Sequence, residues 1–254
     1  MIKADHRNQM ENTLKKVFLV SSYEVDQRGK TRLTAIANYL QETAYKHAAS
    51  LNVGYSHLAE EGRAWVLSRL RIKMYSYPKW DDTIEVETWP RGIEKLFALR
   101  DFRIRSAVGD LLAEATTCWL MVDMKTHRPM RINTDFIPVE TRTDSVFQET
   151  PGKITSPKNP SFILSRIASY SDLDIVGHVN NVKFIEWCVD SLQVDQLLKR
   201  GISDFEINYL GEVRQGDSVD LLSGSNQNHT DHIIITGKNL NSDSECFRAS
   251  IQFL

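Results

Sequence analysis

The chain reads as an α+β protein in which one unit, a long helix followed by a run of antiparallel strands, is used twice. Three observations lead there. Leu33, Ile36, Ala37, Leu40, Ala44, His47, Ala48 and Leu51 recur at three- and four-residue spacing, and Val182, Ile185, Val189 and Leu192 do the same, so two helices each bury one face. Each helical pattern is followed by segments that alternate apolar and polar residues, the period of a half-covered strand. The two halves also echo each other. Asp26-x-x-Gly29 and Asp174-x-x-Gly177 are offset by 174 − 26 = 148 residues, and at that offset Ile36 meets Phe184 and Tyr39 meets Trp187.

In chain order, residues 17–20 with Tyr23 and Val25 predict a first strand, and Asp26 to Lys30 a turn, with Thr31 or Asp26 as cap of the first helix. His47 lies on the apolar face of that helix with no second ligand at helical spacing, so it is expected to be a packed core histidine. Residues 65–77 alternate, setting Val66, Ser68, Leu70, Ile72 and Met74 against Leu67, Arg69, Arg71, Lys73 and Tyr75, the second set on the wet face. A turn over 77–82 leads to strands over 84–89, 96–106 and 111–124, with Gly109-Asp110 as a hairpin turn. Pro138, Pro151, Pro157 and Pro160 punctuate a charged stretch with no long apolar pattern, which predicts a linker and a boundary near Glu149, giving units 1–149 and 150–254. The second unit is expected to open with a strand over 162–168, run a helix to about Arg200 that Gly201 ends, and close with strands over 205–210, 218–222, 232–236 and 246–253. Residues 226–229 are expected to be a polar turn.

Composition narrows the function. The formal net charge of −2 gives no reason to expect nucleic acid as the main partner. No apolar run approaches the roughly 18 residues of a membrane span. The first sixteen residues are polar and of mixed charge, without the pattern of a secretory or transit segment. Cys118, Cys188 and Cys246 have no metal-like spacing and are expected to be free core thiols in a reducing cytoplasm. No acid–histidine cluster has ligand spacing and neither glycine turn is a phosphate loop, so neither a metal nor a cofactor is expected.

The stretch from Ser171 to Trp187 carries the chemistry. Asp174 precedes the second helix, and Gly177-His178 falls where its first turn is expected. The first N–H groups of a helix lack internal partners and attract negative charge. On spacing alone two readings stand: Asp174 as an N-terminal cap with His178 a polar first-turn residue, or an acid–histidine pair beside donors for an oxyanion. The repeat separates the halves here, since Lys30 stands where His178 stands.

The run Asp174-x-x-Gly177-His178-Val179-Asn180-Asn181, followed by Phe184 and Glu186-Trp187, resembles the active-site segment of hot-dog thioesterases. With Ser171-Asp172-Leu173 ahead of it, it most resembles the plant and bacterial acyl-ACP thioesterases. Tyr77-Pro78-x-Trp80-x-Asp82, Glu85-Val86-Glu87-Thr88-Trp89, the segment from Ala115 to Met121, and Lys125-Thr126-x-Arg128-Pro129 resemble the same family in the same order, so the similarity covers nearly the whole chain.

The resemblance implies tandem hot-dog domains, each an antiparallel sheet wrapped around a long helix, and hydrolysis of acyl-acyl carrier protein to a free fatty acid. It implies Asp174, His178 and Glu212 as catalytic residues. The expected mechanism sets the thioester oxygen on the Gly177 and His178 N–H groups, with a water deprotonated by Glu212 or Asp174, or with direct attack by Asp174. Val176 stands where plant members have Asn, and Val213 where they often have Cys, so no cysteine nucleophile is expected. The acyl chain is expected in the first unit, against Ala37, Leu40, Ala44, Met74 and Trp119. Arg69, Arg71 and Lys73, or else Lys125, Arg128 and Arg131, would dock an acidic carrier protein bearing acyl-phosphopantetheine. An acyl-CoA thioesterase and a non-catalytic acyl-binding protein are the competing readings, and a monomer and a homodimer are both open.

Overall fold

The structure, a computed structural model, describes residues 12–133, 136, 142, 144–225 and 232–254. The element order is β1 (Leu14–Leu19), α1 (Leu33–Ser50), α2 (Tyr55–Glu60), β2 (Arg63–Met74), β3 (Thr83–Glu94), β4 (Phe97–Ser106), β5 (Leu111–Asp123), β6 (Pro129–Met130), β7 (Ser161–Ile167), α3 (Asn181–Asp190), α4 (Val194–Arg200), β8 (Ile202–Tyr209), β9 (Ser218–Ser225), β10 (His232–Asn239) and β11 (Ser244–Phe253). All strand pairs are antiparallel and form one sheet in the order β1-β3-β4-β5-β2-β8-β11-β10-β9-β7, with β6 on β5. The expected α+β arrangement of helix and following sheet, twice over, is what forms. Pairing of β2 with β8 fuses the two sheets, with Arg71 opposite Glu206 and Ile72 opposite Phe205.

The core is continuous across that seam. Ile36, Leu40 and Phe102 of the first half belong to the same buried cluster as Ile185, Phe205 and Phe247 of the second, and α1 packs on α3. At about 1.5–3 kcal/mol per fully buried large apolar side chain, this shared core is what holds the halves together. Residues 145–157 run over the opposite face of the sheet. Arg69 Nη1 donates to the Pro151 carbonyl at 2.7 Å, Asn208 Nδ2 to that of Gly152 at 3.0 Å, and the Ile154 N–H to Asn208 Oδ1 at 2.7 Å. The proline-marked segment is thus a strap fixed to the seam. Pro138 and the 226–229 turn lie outside the described residues.

Four local expectations are corrected. The second helix begins at Asn181, later than expected, because Asn180 caps it by accepting the Val182 N–H at 2.9 Å. That helix stops at Asp190, and α4 is a separate short helix which Gly201 ends at φ 74°. Neither Thr31 nor Asp26 caps α1: Thr31 donates its hydroxyl to the Pro78 carbonyl and Asp26 closes a turn. In β2 a register shift between Leu67 and Arg69 changes the phase, leaving Leu67 buried and Val66 exposed.

Candidate functional site

The two echoing turns have one geometry. In the second, the Asp174 N–H donates to the His178 carbonyl at 2.8 Å and the Gly177 N–H to the Asp174 carbonyl at 3.1 Å. Asp174 Oδ1 accepts the N–H groups of Val176 at 2.9 Å and His178 at 3.2 Å. The first turn repeats this with Asp26, Arg28, Gly29 and Lys30. An aspartate bonding the backbone ahead of it is a common turn device. The turn needs a positive φ at its glycine, 82° at Gly177 and 70° at Gly29. Ahead of each stands a single 3-10 turn closed by a serine–acid capping box, Ser21 with Glu24 and Ser169 with Asp172. The acid Asp172 then receives the Asn180 N–H on its carbonyl at 2.8 Å, as Glu24 receives that of Arg32 at 2.9 Å, so each turn is pinned to the start of its helix.

Glu212 reaches the second turn from the segment after β8. The Val179 N–H donates to the Val213 carbonyl at 2.8 Å, and His178 forms an isolated bridge with Arg214. That backbone pairing brings Glu212 Oε2 to 3.2 Å from His178 Nε2 and 3.6 Å from Arg214 Nη2. The imidazole is 27% exposed and the Glu212 side chain 53% exposed, so both are reachable from solvent. At that distance the carboxylate and the ring face each other as an ion pair when the imidazole is protonated.

The first unit has the matching segment with different residues. Lys79 donates its N–H to Asp82 Oδ2 at 2.7 Å as Arg214 does to Asp217 Oδ2 at 2.9 Å, and Lys30 bridges Lys79 as His178 bridges Arg214. Counting back from Asp82 and Asp217 puts Tyr77 at the place of Glu212. Lysine and tyrosine therefore replace histidine and glutamate, and Tyr77 spends its hydroxyl on the backbone of Ile202, donating to its carbonyl at 2.8 Å. The acid–histidine pair is complete in one turn of the two.

Several sequence-predicted residues fall elsewhere than expected. Gly177 and His178 are outside the helix, and their N–H groups are already donated to Asp174. They are not open donors for an oxyanion in this conformation. Arg69, Arg71 and Lys73 are half-buried, the two arginines under the strap. Arg69 lies over the Phe97 ring, Arg71 lies over Phe147 and pairs with Asp204 at 2.7 Å, and Lys73 lies over Tyr75. Arg71 has its charge paired within the fold and all three are half-buried, whereas Lys125, Arg128 and Arg131 are exposed together around β6. Ala37, Leu40 and Ala44 are buried on α1, with Met74 in the same cluster, while Trp119 packs in a smaller cluster with Leu58 and Met121 and donates Nε1–H to Thr117 Oγ1 at 2.8 Å.

His47 is a buried core histidine as expected, and its partner is one that the strand pattern conceals. Arg100 Nη1 lies 2.9 Å from His47 Nδ1 and 3.2 Å from Thr88 Oγ1. Burial lowers its guanidinium pKa to about 10. The cysteines are free and buried, and burial raises the Cys118 thiol to about 12, away from thiolate chemistry. Among the described residues there is no group of acids, histidines and cysteines able to hold a metal. No helix among them is long and apolar enough to cross a membrane.

A helix-and-sheet unit repeated in one chain, with the turn ahead of each long helix facing a loop after a strand, defines a tandem hot-dog protein. The comparisons identify the particular family. Residues 11–139 match the model of the acyl-ACP thioesterase N-terminal domain, and residues 156–254 that of the C-terminal domain. The chain belongs to the acyl-ACP thioesterase family. It is 31% identical over 233 residues to oleoyl-acyl carrier protein thioesterase 2, chloroplastic, of Arabidopsis thaliana, covering 83% of this chain and 62% of that one. It is 29% identical over 234 residues to dodecanoyl-[acyl-carrier-protein] hydrolase, chloroplastic, of Cinnamomum camphora, covering 85% of this chain and 60% of that one. The chain thus spans less than two thirds of these plant relatives. An acyl-ACP thioesterase structure from Bacteroides thetaiotaomicron superposes with a TM-score of 0.88 at 25% identity, covering 96% of this chain and 98% of that one. The fold is also that of the 12:0-ACP thioesterase from Umbellularia californica, with a TM-score of 0.83 at 22% identity and the same coverages.

Proposed function

We propose that the chain hydrolyses the thioester of acyl-acyl carrier protein, releasing a free fatty acid. The observation that carries this is the Glu212–His178 contact at 3.2 Å, made across two separate segments and present in only one of two otherwise matching turns. Family membership supports the thioester as substrate. In this reading Glu212 and His178 act as a unit that takes a proton from the attacking water. Water adds to the thioester carbonyl, the tetrahedral oxyanion collapses, and the pantetheine thiol leaves with a proton returned by the same pair. Asp174 holds the turn that presents His178, with Oδ1 spent on that turn. Glycine at 177 serves the fold of the turn, and the oxyanion draws its donors from elsewhere or from a turn that opens on binding.

The rest of the reading follows the family. The acyl chain lies in the unit of residues 1–149 against Ala37, Leu40, Ala44 and Met74, which share one buried cluster, and residues 150–254 carry the chemistry. The acidic carrier docks on Lys125, Arg128 and Arg131, which the structure leaves exposed. The three buried free thiols fit a reducing, cytoplasmic setting. The test is thiol release from a panel of acyl-ACPs and matching acyl-CoAs, with Glu212→Gln and His178→Ala beside wild type. Faster release from acyl-ACP, lost in folded variants, is the expected result. Preference for acyl-CoA moves the assignment to a CoA thioesterase, and acyl binding without thiol release makes the protein a binder.

A further inference from the structure

The turn that lost the acid–histidine pair faces a cavity of about 390 Å³, within the roughly 300–1,000 Å³ of small-molecule sites. Its apolar lining comes from Val25, Tyr77, Val189, Leu197 and Ile202. Five cationic side chains also line it: Arg28, Lys30, Arg32, Lys199 and Arg200. Asp26 carries the one acidic side chain among the lining residues, and it is committed. Its Oδ1 accepts the Arg28 and Lys30 N–H groups, and its Oδ2 lies 3.6 Å from Arg28 Nε. Asp190 lies near Arg32 but is paired with Arg166 at 2.9 Å. Arg32 spends its donors on the carbonyls of Val25 and Tyr23, and Arg200 Nε donates to the Leu254 oxygen. Bonds to neutral carbonyls such as those of Val25 and Tyr23 hold a guanidinium in place and leave its charge standing.

An apolar lining under a cationic rim selects an amphipathic anion. The walls suit hydrocarbon, which gains about 25 cal/mol per Å² removed from water, and a carboxylate at the mouth gains charge-assisted bonds from Lys30 and Lys199. We propose that this cavity is a second ligand site that binds a long-chain carboxylate at the non-hydrolytic turn. The hydrocarbon and charge argument stands on the cavity alone; that the ligand is the enzyme's own product rests on the function proposed above. Lys30 in place of His178 makes this turn a holder of anions, and Tyr77 in place of Glu212 removes the acid that would repel one.

The same ligand is expected near the catalytic turn, so the test must locate binding. Amide shifts of ¹⁵N-labelled protein are followed while dodecanoate is added, with inorganic phosphate and dodecanol as separate probes. Gly201 and Ile202 report on the cavity and Val176 and Gly177 on the catalytic turn. The expected result is saturable shifts at Gly201 and Ile202 with dodecanoate only. In the double variant Lys30→Glu/Lys199→Glu these weaken by about tenfold or more, while shifts at Val176 and Gly177 persist. The milder Lys30→Ala/Lys199→Ala pair weakens the same shifts should charge reversal disturb folding. Absent shifts at Gly201 and Ile202, shifts undiminished in both double variants, or equal shifts with phosphate or dodecanol would overturn the proposal. Thioester hydrolysis measured on the same samples separates the two readings. Lysine-dependent shifts without hydrolysis leave the cavity site standing and refute the function, and hydrolysis without them does the reverse.

Discussion

Replacing Glu212 by Gln is the sharpest test of the catalytic assignment. The side chain keeps its shape and one carbonyl oxygen at the 3.2 Å separation from His178 Nε2, but it loses the charge that makes the pair a base. A positioned acid–base group contributes about 10²–10⁴ in rate. Glu212 is more than half exposed and shares its carboxylate with Arg214, so the low end applies: a fall in kcat of about 10²–10³, or roughly 3–4 kcal/mol of barrier. KM should hold, because the acyl chain and carrier are bound elsewhere. Stability should stay within about 0.5 kcal/mol, as for other surface positions. The assay is thiol release from one acyl-ACP by wild type, Glu212→Gln, His178→Ala and the double variant, with Tm measured alongside. Residues that act as one unit lose no more together than singly. A Glu212→Gln enzyme with more than half of wild-type kcat, or a double variant whose loss is the product of the single losses, would refute the assignment.

Other outcomes follow from the same geometry. Asp174→Ala removes the acceptor of two N–H groups and should cost about 1 kcal/mol of stability by thermal unfolding, whereas Asp174→Asn keeps that acceptor and the Tm. Single-turnover reaction in heavy-oxygen water should place no label in the Asp174 carboxylate by mass spectrometry; label there would establish direct attack and sink the water route. Reversing charge at Lys125, Arg128 and Arg131 should raise KM for acyl-ACP and leave acyl-CoA unchanged, while Arg71→Glu should chiefly lower Tm, since Arg71 pairs with Asp204 across the seam. Glu206 is burdened by burial, which outweighs the pull of Arg71 and raises its pKa above 4.5. A carboxylate raised in the folded state costs stability above its folded pKa, and the cost fades as pH falls through that value to the unfolded one. Glu206→Gln should therefore raise Tm at neutral pH, with the gain disappearing toward pH 4.5; a gain that grows on acidification would refute the reading.

Much of this architecture is legible in the chain because the signals are periodic. Leu33, Ile36, Leu40 and Ala44 mark α1 by spacing, and the alternation of β2 to β5 marks a sheet with one covered face. What misleads is local chemistry that competes with the period. Asp174 looks like a helix cap because aspartate commonly is one, yet its oxygen is taken by the backbone two and four residues on, and Asn180 receives the capping role. Arg69, Arg71 and Lys73 read as a wet stripe because alternation tells one face from the other, not what covers it. The strap that covers Arg69 and Arg71 carries no periodic pattern, and it binds through carbonyls such as Pro151 O that any residue supplies. Arg100 is hidden for the converse reason: a charged residue in a strand reads as outward-facing, and only the approach of His47 from α1 shows that it points in.

The repeat carries the most information about chemistry because it supplies an internal control. Two turns share one backbone hydrogen-bond pattern, one positive-φ glycine, one capping box and one facing loop. Whatever those features do for folding, they do in both halves. The differences, His178 against Lys30 and Glu212 against Tyr77, are therefore the part that folding does not require. A structural role for His178 and Glu212 predicts that Lys and Tyr would serve in the second turn as they do in the first. The pair His178→Lys/Glu212→Tyr tests this directly. Tm held near wild type with thiol release abolished is expected if the pair is there for chemistry; unfolding of that variant, with activity kept by Glu212→Gln, would return both residues to the scaffold.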